Sequence, residues 1–324
     1  MLRILLMGGA EYVVPVAEKL LNLNHPPGHL VGVVCPPTQR LGKRGAGKND
    51  SALAIWAKSR LPSILCLQPE NPSSPEFIQV LSGFNCDMVI TAAYGQILSE
   101  EFLKVPTYGV LNIHPSLLPK YRGATPVPGA ILAGDTETGV SFVKTVRELD
   151  AGDIVLQQSV SILPNEKADE LLTRLFYRSS LLVAQACALM AETTVHFMPQ
   201  EHQLASYSKK LNKTDGLVDF NESAYLHHLK FRAYAPWPGR YSYFDGKRVR
   251  LSYQESGVCV PKNTLSPGGF IYDKQSKALV VGIKGGIIQL DFLTVEGKKT
   301  MTAREFWHYA NQRDTPLIFA LPKV

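Results

Sequence analysis

The first 114 residues alternate between short apolar runs and longer amphipathic stretches. The apolar runs lie at 3–8, 30–35, 64–67, 87–93 and 109–114. The amphipathic stretches between them have helical spacing and lie at 12–23, 51–59, 75–83 and 99–104. Strands that alternate with helices indicate a parallel sheet covered by helices. We therefore predict an α/β domain with a Rossmann-like, doubly wound sheet, which binds ligands at the carboxyl ends of its strands.

The pattern changes after Gly134. Two strands, at 139–147 and 153–162, precede a long helix at 168–191, and the polar residues 196–210 are typical of a linker. One more helix, at 222–233, is followed by short runs of β character between glycine turns, which predict a small barrel or sandwich. Those runs lie at 241–244, 248–253, 269–272, 278–283 and 286–293. We predict a catalytic domain at 1–195, a linker at 196–210 and a β-rich domain at 211–324.

Composition excludes several classes of protein. Of the 324 residues, 45% are hydrophobic and 19% are charged, which is typical of a globular chain with two domains. The longest apolar run, 181–191, is interrupted by Gln185 and is too short to span a membrane. Five scattered cysteines without a CxxC pair favour reduced thiols and no structural zinc. Because residues 2–7 already resemble a strand, we expect no leader peptide and a cytoplasmic protein, although a mature organellar protein would share these features.

The charge is divided unevenly along the chain. Residues 207–324 contain 18 Lys and Arg against 10 Asp and Glu, a net charge of +8, whereas residues 1–206 have a net charge of −2. A basic C-terminal part suits a polyanionic partner, and it also suits a surface that only keeps the protein in solution. The charge alone leaves both interpretations open.

The densest polar segment is 112–123, which reads Asn-Ile-His-Pro-Ser-Leu-Leu-Pro-Lys-Tyr-Arg-Gly. Asn112 and His114 are two residues apart at the end of a predicted strand, so their side chains share a face. Asp150 is the carboxylate that the fold could bring near them. An amide, an imidazole and a carboxylate suit acyl transfer without a covalent enzyme intermediate, since they can stabilise an oxyanion and move a proton. A structural histidine and a turn aspartate remain the alternatives.

The segments 112–127 (NIHPSLLPKYRGATPV) and 134–157 (GDTETGVSFVKTVRELDAGDIVLQ) closely resemble the formyltetrahydrofolate-dependent formyltransferases. That family shares Asn-x-His, then SLLP, then LDxG about 35 residues later. The resemblance implies the formyltransferase fold, 10-formyltetrahydrofolate as co-substrate and no metal. It also implies that Asn112, His114 and Asp150 are catalytic. The residues that would border the folate are Tyr94, Gly95, Gln96, Ile97, Leu98, Ser116, Leu117, Leu118 and Pro119.

Four later segments resemble the branch of this family that formylates methionyl initiator tRNA. They are 206–211 (SYSKKL), 215–220 (DGLVDF), 232–239 (RAYAPWPG) and 296–301 (EGKKTM). The resemblance implies that the C-terminal domain is a basic barrel of oligonucleotide-binding (OB) type that holds the tRNA. We also expect a monomer, although the sequence itself does not reveal the oligomeric state. The implied tRNA-binding residues are Arg40, Lys43, Arg44, Lys209, Lys210, Lys247, Arg248 and Arg250.

Some features stay open at this stage. The family carries an Arg in a loop that inserts at the acceptor end of the tRNA, and gapless counting places Lys43 there with Arg44 beside it. Lysine lacks the planar fork of arginine, so either residue could take the role. A sugar-nucleotide N-formyltransferase with the same three residues is the alternative enzyme. A non-catalytic RNA-binding protein on the same fold is the alternative of another class.

Overall fold

The computed structural model describes residues 2–23, 28–40, 48–60, 64–192, 197–252, 258–259 and 265–320. The chain forms two units, which are described separately. The first comprises Met1–Ala130, Thr136–Ile162 and Glu170–Lys209. The second comprises Ile131–Asp135, Leu163–Asp169 and Lys210–Val324.

Strands and helices alternate along the chain as far as residue 209. The strands are β1 Leu2–Gly8, β2 Gly28–Val34, β3 Gln39–Arg40, β4 Lys48–Asn49, β5 Leu65–Leu67, β6 Met88–Ala92, β7 Val110–His114, β8 Arg122–Gly123, β9 Glu137–Lys144, β10 Ile154–Ser161 and β11 Tyr207–Ser208. The α-helices are α1 Val14–Leu21, α2 Ala52–Lys58, α3 Pro75–Gly83, α4 Glu100–Leu103, α5 Pro126–Ala133 and α6 Ala168–Ala191. Short 3-10 helices lie at Glu11–Val13, His202–Leu204 and Lys213–Gly216.

The main sheet of the first unit has the strand order β10-β9-β7-β6-β1-β2-β5. Its strands β5, β2, β1, β6 and β7 are parallel, and the chain runs outward from β1 in both directions, which confirms the predicted doubly wound α/β fold. The last two strands, β9 and β10, are antiparallel. They are joined by the loop 145–153, which is too short for the crossover that a parallel pair needs.

The centre of this sheet is buried on both sides. Ile4, Leu5, Leu6 and Met7 of β1 are fully buried, as is typical of parallel strands covered by helices. Serine side chains cap three of the helices: Ser51, Ser74 and Ser99 accept hydrogen bonds from the backbone N–H groups of Ala54, Phe77 and Phe102. Helix α5 was not predicted from the sequence; its two prolines lie in the first helical turn, where they are tolerated.

The segment that the sequence suggested as a linker, 196–210, belongs to the first unit as far as Lys209. Met198 forms a β-bridge with Ile154, and β11 pairs in parallel with β8. The segment is polar because its side chains bond to the backbone of turns, so its composition resembled that of a solvated connection.

The described part of Lys210–Val324 contains two α-helices and two antiparallel sheets, of orders β12-β13-β18-β19 and β14-β17-β16-β15. Its helices are α7 Ala224–Ala233 and α8 Ala303–Asn311. Its strands are β12 Arg240–Phe244, β13 Lys247–Ser252, β14 Val258–Cys259, β15 Phe270–Asp273, β16 Ala278–Ile283, β17 Gly286–Leu290, β18 Phe292–Val295 and β19 Thr300–Thr302. An aromatic cluster of Phe244, Phe270, Phe306 and Phe319 fills the core between them. None of the described helices is long and apolar enough to cross a membrane.

Candidate active site

Asn112 lies on β7, at the level where β6 contributes Thr91. The Thr91 hydroxyl donates a hydrogen bond of 2.9 Å to Asn112 Oδ1. This bond fixes the orientation of the amide, because its oxygen must face the donor. The amide nitrogen Nδ2 therefore points away from Thr91 and lies 3.3 Å from Asp150 Oδ1, to which it donates. The result is an oriented N–H donor on a half-buried face of the sheet.

His114 lies two residues further on the same face and is 4% exposed. Its Nε2 is 2.9 Å from the carbonyl oxygen of Tyr121, so this nitrogen carries a proton and donates it. Its Nδ1 is 3.6 Å from Asp150 Oδ2. Burial lowers the pKa of His114 below its ordinary value of 6.5, and the charge of Asp150 opposes this shift. Since burial dominates, the ring is neutral at pH 7 and its Nδ1 can accept a proton.

Asp150 joins these two side chains. It lies in the loop between β9 and β10 with a left-handed φ of 50°. Its Oδ2 accepts the backbone N–H of Gly123 at 2.8 Å, and its Oδ1 accepts Asn112 Nδ2. The structure therefore brings together the amide, imidazole and carboxylate that the sequence singled out. Such a set can donate to an oxyanion and hold a proton without a nucleophile of its own.

The Ser116–Pro119 segment is held in place by contacts with β9 and β10. Ser141 Oγ donates to the Ser116 carbonyl at 2.7 Å and accepts the Leu118 N–H at 3.1 Å. The side chain of Leu118 is buried against Val143 and Ile154, and that of Ser116 is also buried, whereas Leu117 and Pro119 are partly exposed. The segment therefore offers its backbone, Leu117 and Pro119 to a ligand, while Ser116 and Leu118 anchor it.

The loop 94–98 follows β6. Tyr94 is 7% exposed among apolar side chains that include Phe77 and Phe102, and burial raises its pKa to about 12. Its hydroxyl has no hydrogen-bond partner among the described residues. Gly95 has a φ of 78°, in the left-handed region that favours glycine. Gln96 and Leu98 are partly exposed, and Ile97 is 92% exposed. An apolar side chain this exposed at a loop tip can cover one side of a flat ligand.

The predicted tRNA-binding residues lie in different places. Arg248 and Arg250 alternate on β13 with the buried Val249 and Leu251, so both arginines face outward. The guanidinium of Arg248 lies 3.8 Å over the ring of Tyr241. Lys247, Lys209 and Lys210 are exposed. The loop residues Lys43 and Arg44, and the side chain of Arg40, lie outside the described residues.

Three residues that position the site were missed by the sequence analysis. Thr91 orients Asn112, while Arg122 and Gln200 form a buried pair beside Asp150. Arg122 directly follows the SLLPKY segment, and this position in the sequence could have identified it as a residue of the site. Gln200 sits in the polar segment that resembled a linker, and no local pattern distinguishes it.

The chain is similar to known formyl transferases along most of its length. A sequence model described as "Formyl transferase" matches residues 2–186, and one described as "Formyl transferase, C-terminal domain" matches residues 210–311. The methionyl-tRNA formyltransferase of Thermotoga neapolitana is 33% identical over 312 residues, which cover 96% of each chain. That of Chloroflexus aurantiacus is 36% identical over 271 residues, or 83% of this chain and 84% of the relative.

Solved structures share the fold at lower identity. HypX from Aquifex aeolicus, in complex with tetrahydrofolic acid, is 16% identical with a TM-score of 0.62, and the match covers 94% of this chain and 46% of HypX. An N-formyltransferase from Helicobacter canadensis, in complex with folinic acid and dTDP-3-aminofucose, is 17% identical with a TM-score of 0.60, and the match covers 90% of this chain and 100% of that one. These similarities show that the fold is shared.

Proposed function

This chain belongs to the formyl transferase family, and within it to the methionyl-tRNA formyltransferases, and on that basis we propose the reaction that it catalyses. The chain transfers the formyl group of 10-formyltetrahydrofolate to the α-amino group of methionine esterified to initiator tRNA. The observation that carries the proposal is identity of 31–36% to methionyl-tRNA formyltransferases over 83–96% of the chain, across both units. The geometry of Asn112, His114 and Asp150 supports it independently.

Each of the three side chains has one role in the proposed mechanism. The α-amine attacks the formyl carbon, and the carbonyl oxygen gains negative charge. Asn112 Nδ2, aimed by Thr91, donates a hydrogen bond to that oxygen. The neutral His114 accepts a proton at Nδ1, and the carboxylate of Asp150 stabilises the imidazolium that forms. The tetrahedral intermediate then collapses as the proton held by His114 passes to N10 of the folate, which breaks the N10–formyl bond, forms the new amide and releases tetrahydrofolate.

The two loops beside the trio suit a folate. A pterin is a flat ring that needs one apolar surface and hydrogen bonds at its edge. The exposed Ile97 supplies apolar surface, and the same loop contains the buried hydroxyl of Tyr94, which has no hydrogen-bond partner within the part of the chain that the structure describes. Leu117 and Pro119 would border the ligand on the other side. This fit supports 10-formyltetrahydrofolate as the co-substrate.

The second unit would hold the tRNA. Phosphates attract exposed Lys and Arg, and Arg248 and Arg250 project side by side from β13 with Lys247 next to them. Lys209 and Lys210 mark the passage from the first unit to the second. We further propose a monomer in the cytoplasm. The roles of Arg40, Lys43 and Arg44 stay predictions.

The test compares acceptors. Purified full-length protein is incubated with 10-formyltetrahydrofolate and either charged initiator methionyl-tRNA or a dTDP-amino sugar, and the formylated product is measured. We expect formylmethionyl-tRNA only. Asp150→Asn should abolish most of the activity, while Asp153→Asn, which alters an exposed carboxylate three residues away, should retain it. Formylation of the sugar nucleotide alone would overturn the proposal and favour the alternative enzyme.

A further inference from the structure

The loop that carries Asp150 is held by a buried pair from two other parts of the first unit. Gln200 is 6% exposed and Arg122 is 2% exposed. Gln200 Nε2 donates to two backbone carbonyl oxygens, those of Asp150 and Gly152, each at 2.7 Å. One side-chain amide thus binds both ends of the turn that contains the proposed catalytic carboxylate.

Arg122 determines which way the amide of Gln200 faces. Its Nε and one terminal nitrogen both donate to Gln200 Oε1, at 3.1 and 2.7 Å. A guanidinium has donors only, so the amide oxygen must face it and the amide N–H₂ must face the turn. The two carbonyl oxygens of the turn require the same orientation, because an amide oxygen in that place would face two acceptors. The buried, charged guanidinium of Arg122 therefore helps to fix the orientation of the neutral Gln200 side chain.

The turn needs such support because of its backbone. Asp150 has a left-handed φ of 50°, which is uncommon for a residue with a side chain. Gly152 approaches β9 so closely that a Cβ at this position would lie within 1.9 Å of the Lys144 carbonyl oxygen. A turn under these constraints persists when its surroundings fix it from several sides.

The same region of the chain also binds the carboxylate. Gly123, next to Arg122, donates its N–H to Asp150 Oδ2 at 2.8 Å. The β8 strand formed by Arg122 and Gly123 is itself paired with β11, and Ser206 holds Tyr121 and Arg122 through its hydroxyl and its carbonyl. The segment from Gln200 to Ser208 therefore supports Asp150 at its backbone and, through β8, at its carboxylate.

We propose that Arg122 and Gln200 are positioning residues for formyl transfer, which hold Asp150 in the conformation that faces Asn112 and His114. The proposal rests on the proposed function, because it takes Asp150 as part of the catalytic set. It assigns a positioning role to a segment whose composition resembles a linker. Neither side chain needs to contact a substrate for this role.

The variant that tests the pair is Gln200→Met, which keeps the length of the side chain and removes both N–H donors and the acceptor. We expect kcat to fall by about 10²-fold, the loss that a displacement of about 1 Å causes in a catalytic group. The KM values for folate and methionyl-tRNA should stay near those of the wild type. Gln203→Ala, an exposed glutamine in the same segment, is the matched control and should keep the wild-type kcat.

A double-mutant cycle separates positioning from simple destabilisation. If Gln200 acts through Asp150, then Gln200→Met should cost no further activity in an Asp150→Ala background. The thermal unfolding midpoint of every variant is measured. Activity is then assayed well below the lowest of these midpoints, so that all the variants compared are folded. Losses of kcat that multiply independently in the double variant would overturn the proposal. The proposal would also be overturned if the loss of activity in Gln200→Met were no larger than the fraction of that variant that is unfolded.

The outcomes distinguish this proposal from the proposed function. If Asp150→Ala lowers kcat strongly and Gln200→Met leaves it unchanged, the reaction assignment stands and the positioning role is wrong. If the wild-type protein formylates no methionyl-tRNA, the proposed function and the positioning role fall together. Arg122→Lys should have an intermediate effect. Lysine keeps the positive charge but cannot donate two hydrogen bonds from a planar group, so the kcat of this variant should lie between those of the wild type and Gln200→Met.

Discussion

His227 gives a prediction about acid stability that can be worked out in numbers. It lies on α7 in the second unit, fully buried, with its ring 6.5 Å from that of Phe220. Neither ring nitrogen has a hydrogen-bond partner among the described residues. Burial, together with the smaller effect of the positive charges of Arg240 and Lys230, lowers the pKa of His227 to about 4, although the charge of Glu222 opposes this shift. The folded protein therefore keeps this histidine neutral.

The sign of the effect follows from proton binding in the two states. In the unfolded chain His227 has its ordinary pKa of 6.5, so between pH 6.5 and about pH 4 the unfolded state binds a proton that the folded state does not. The free energy of unfolding therefore decreases as the pH falls through this window. From pH 7.5 to pH 5.0, the two pKa values give a loss of about 2 kcal/mol from this one residue.

The perturbation is His227→Leu, which removes the titrating group and fills the site with an apolar side chain. Urea unfolding at pH 7.5 and pH 5.0 gives the free energy of unfolding. A Trp56→Phe background restricts tryptophan fluorescence to Trp237 and Trp307, both in the second unit. We expect the variant to lose about 2 kcal/mol less than the wild type between the two pH values.

The matched control is His308→Gln, which changes an exposed histidine of the same unit. Its pH dependence should follow that of the wild type. If His227→Leu loses as much stability on acidification as the wild type does, then His227 is not held neutral in the folded state and the reasoning is refuted.

Three further predictions concern catalysis, packing and RNA. Asn112→Ala should lower the rate of formyl transfer by about 10²–10³-fold with unchanged tRNA affinity, as expected for the loss of an oxyanion donor; near-normal turnover at saturating folate would contradict this role. Gly152→Ala should lower the thermal midpoint and the activity, because its Cβ would collide with the Lys144 carbonyl; an unchanged melting curve would show that the turn can move. Arg248→Glu with Arg250→Glu should weaken tRNA binding and reduce its salt dependence while folate affinity is unchanged, as measured by filter binding over a salt series; an unchanged salt slope would place the tRNA elsewhere.

The periodicity of the sequence was sufficient for the α/β fold and for most of its elements. The apolar run at 87–93 became the buried strand β6, and the predicted helix at 168–191 became α6. The prediction of these segments is confirmed because burial against a sheet or along a helix face leaves a local, repeating pattern of apolar residues. Helix α8 was missed although Thr302 and Glu305 form a capping box whose spacing is visible in the sequence.

The proposed catalytic residues are only partly close in sequence. Asn112 and His114 share a face because they are two residues apart on a strand, and the sequence alone determines this. That Asp150 reaches them, 36 residues beyond His114, depends on the antiparallel return of β9 and on Gly123. The sequence singled out Asp150 as a candidate carboxylate, and the resemblance to a family implied its role, but no periodicity could have placed it beside the other two residues.

The support of that site was decided by the tertiary structure. Residues 197–209 have the composition of an exposed connection, and the fold instead uses their polar groups to satisfy buried backbone at 121–123 and 150–152. Composition reports whether a side chain is polar, and it does not report whether its partner is water or a distant carbonyl. The sequence by itself therefore determined the sheet, the two-part organisation and the chemical groups at the end of β7. Only the folded chain decided that Arg122 and Gln200 hold Asp150, because hydrogen bonds between residues 50 and 78 positions apart leave no repeating pattern.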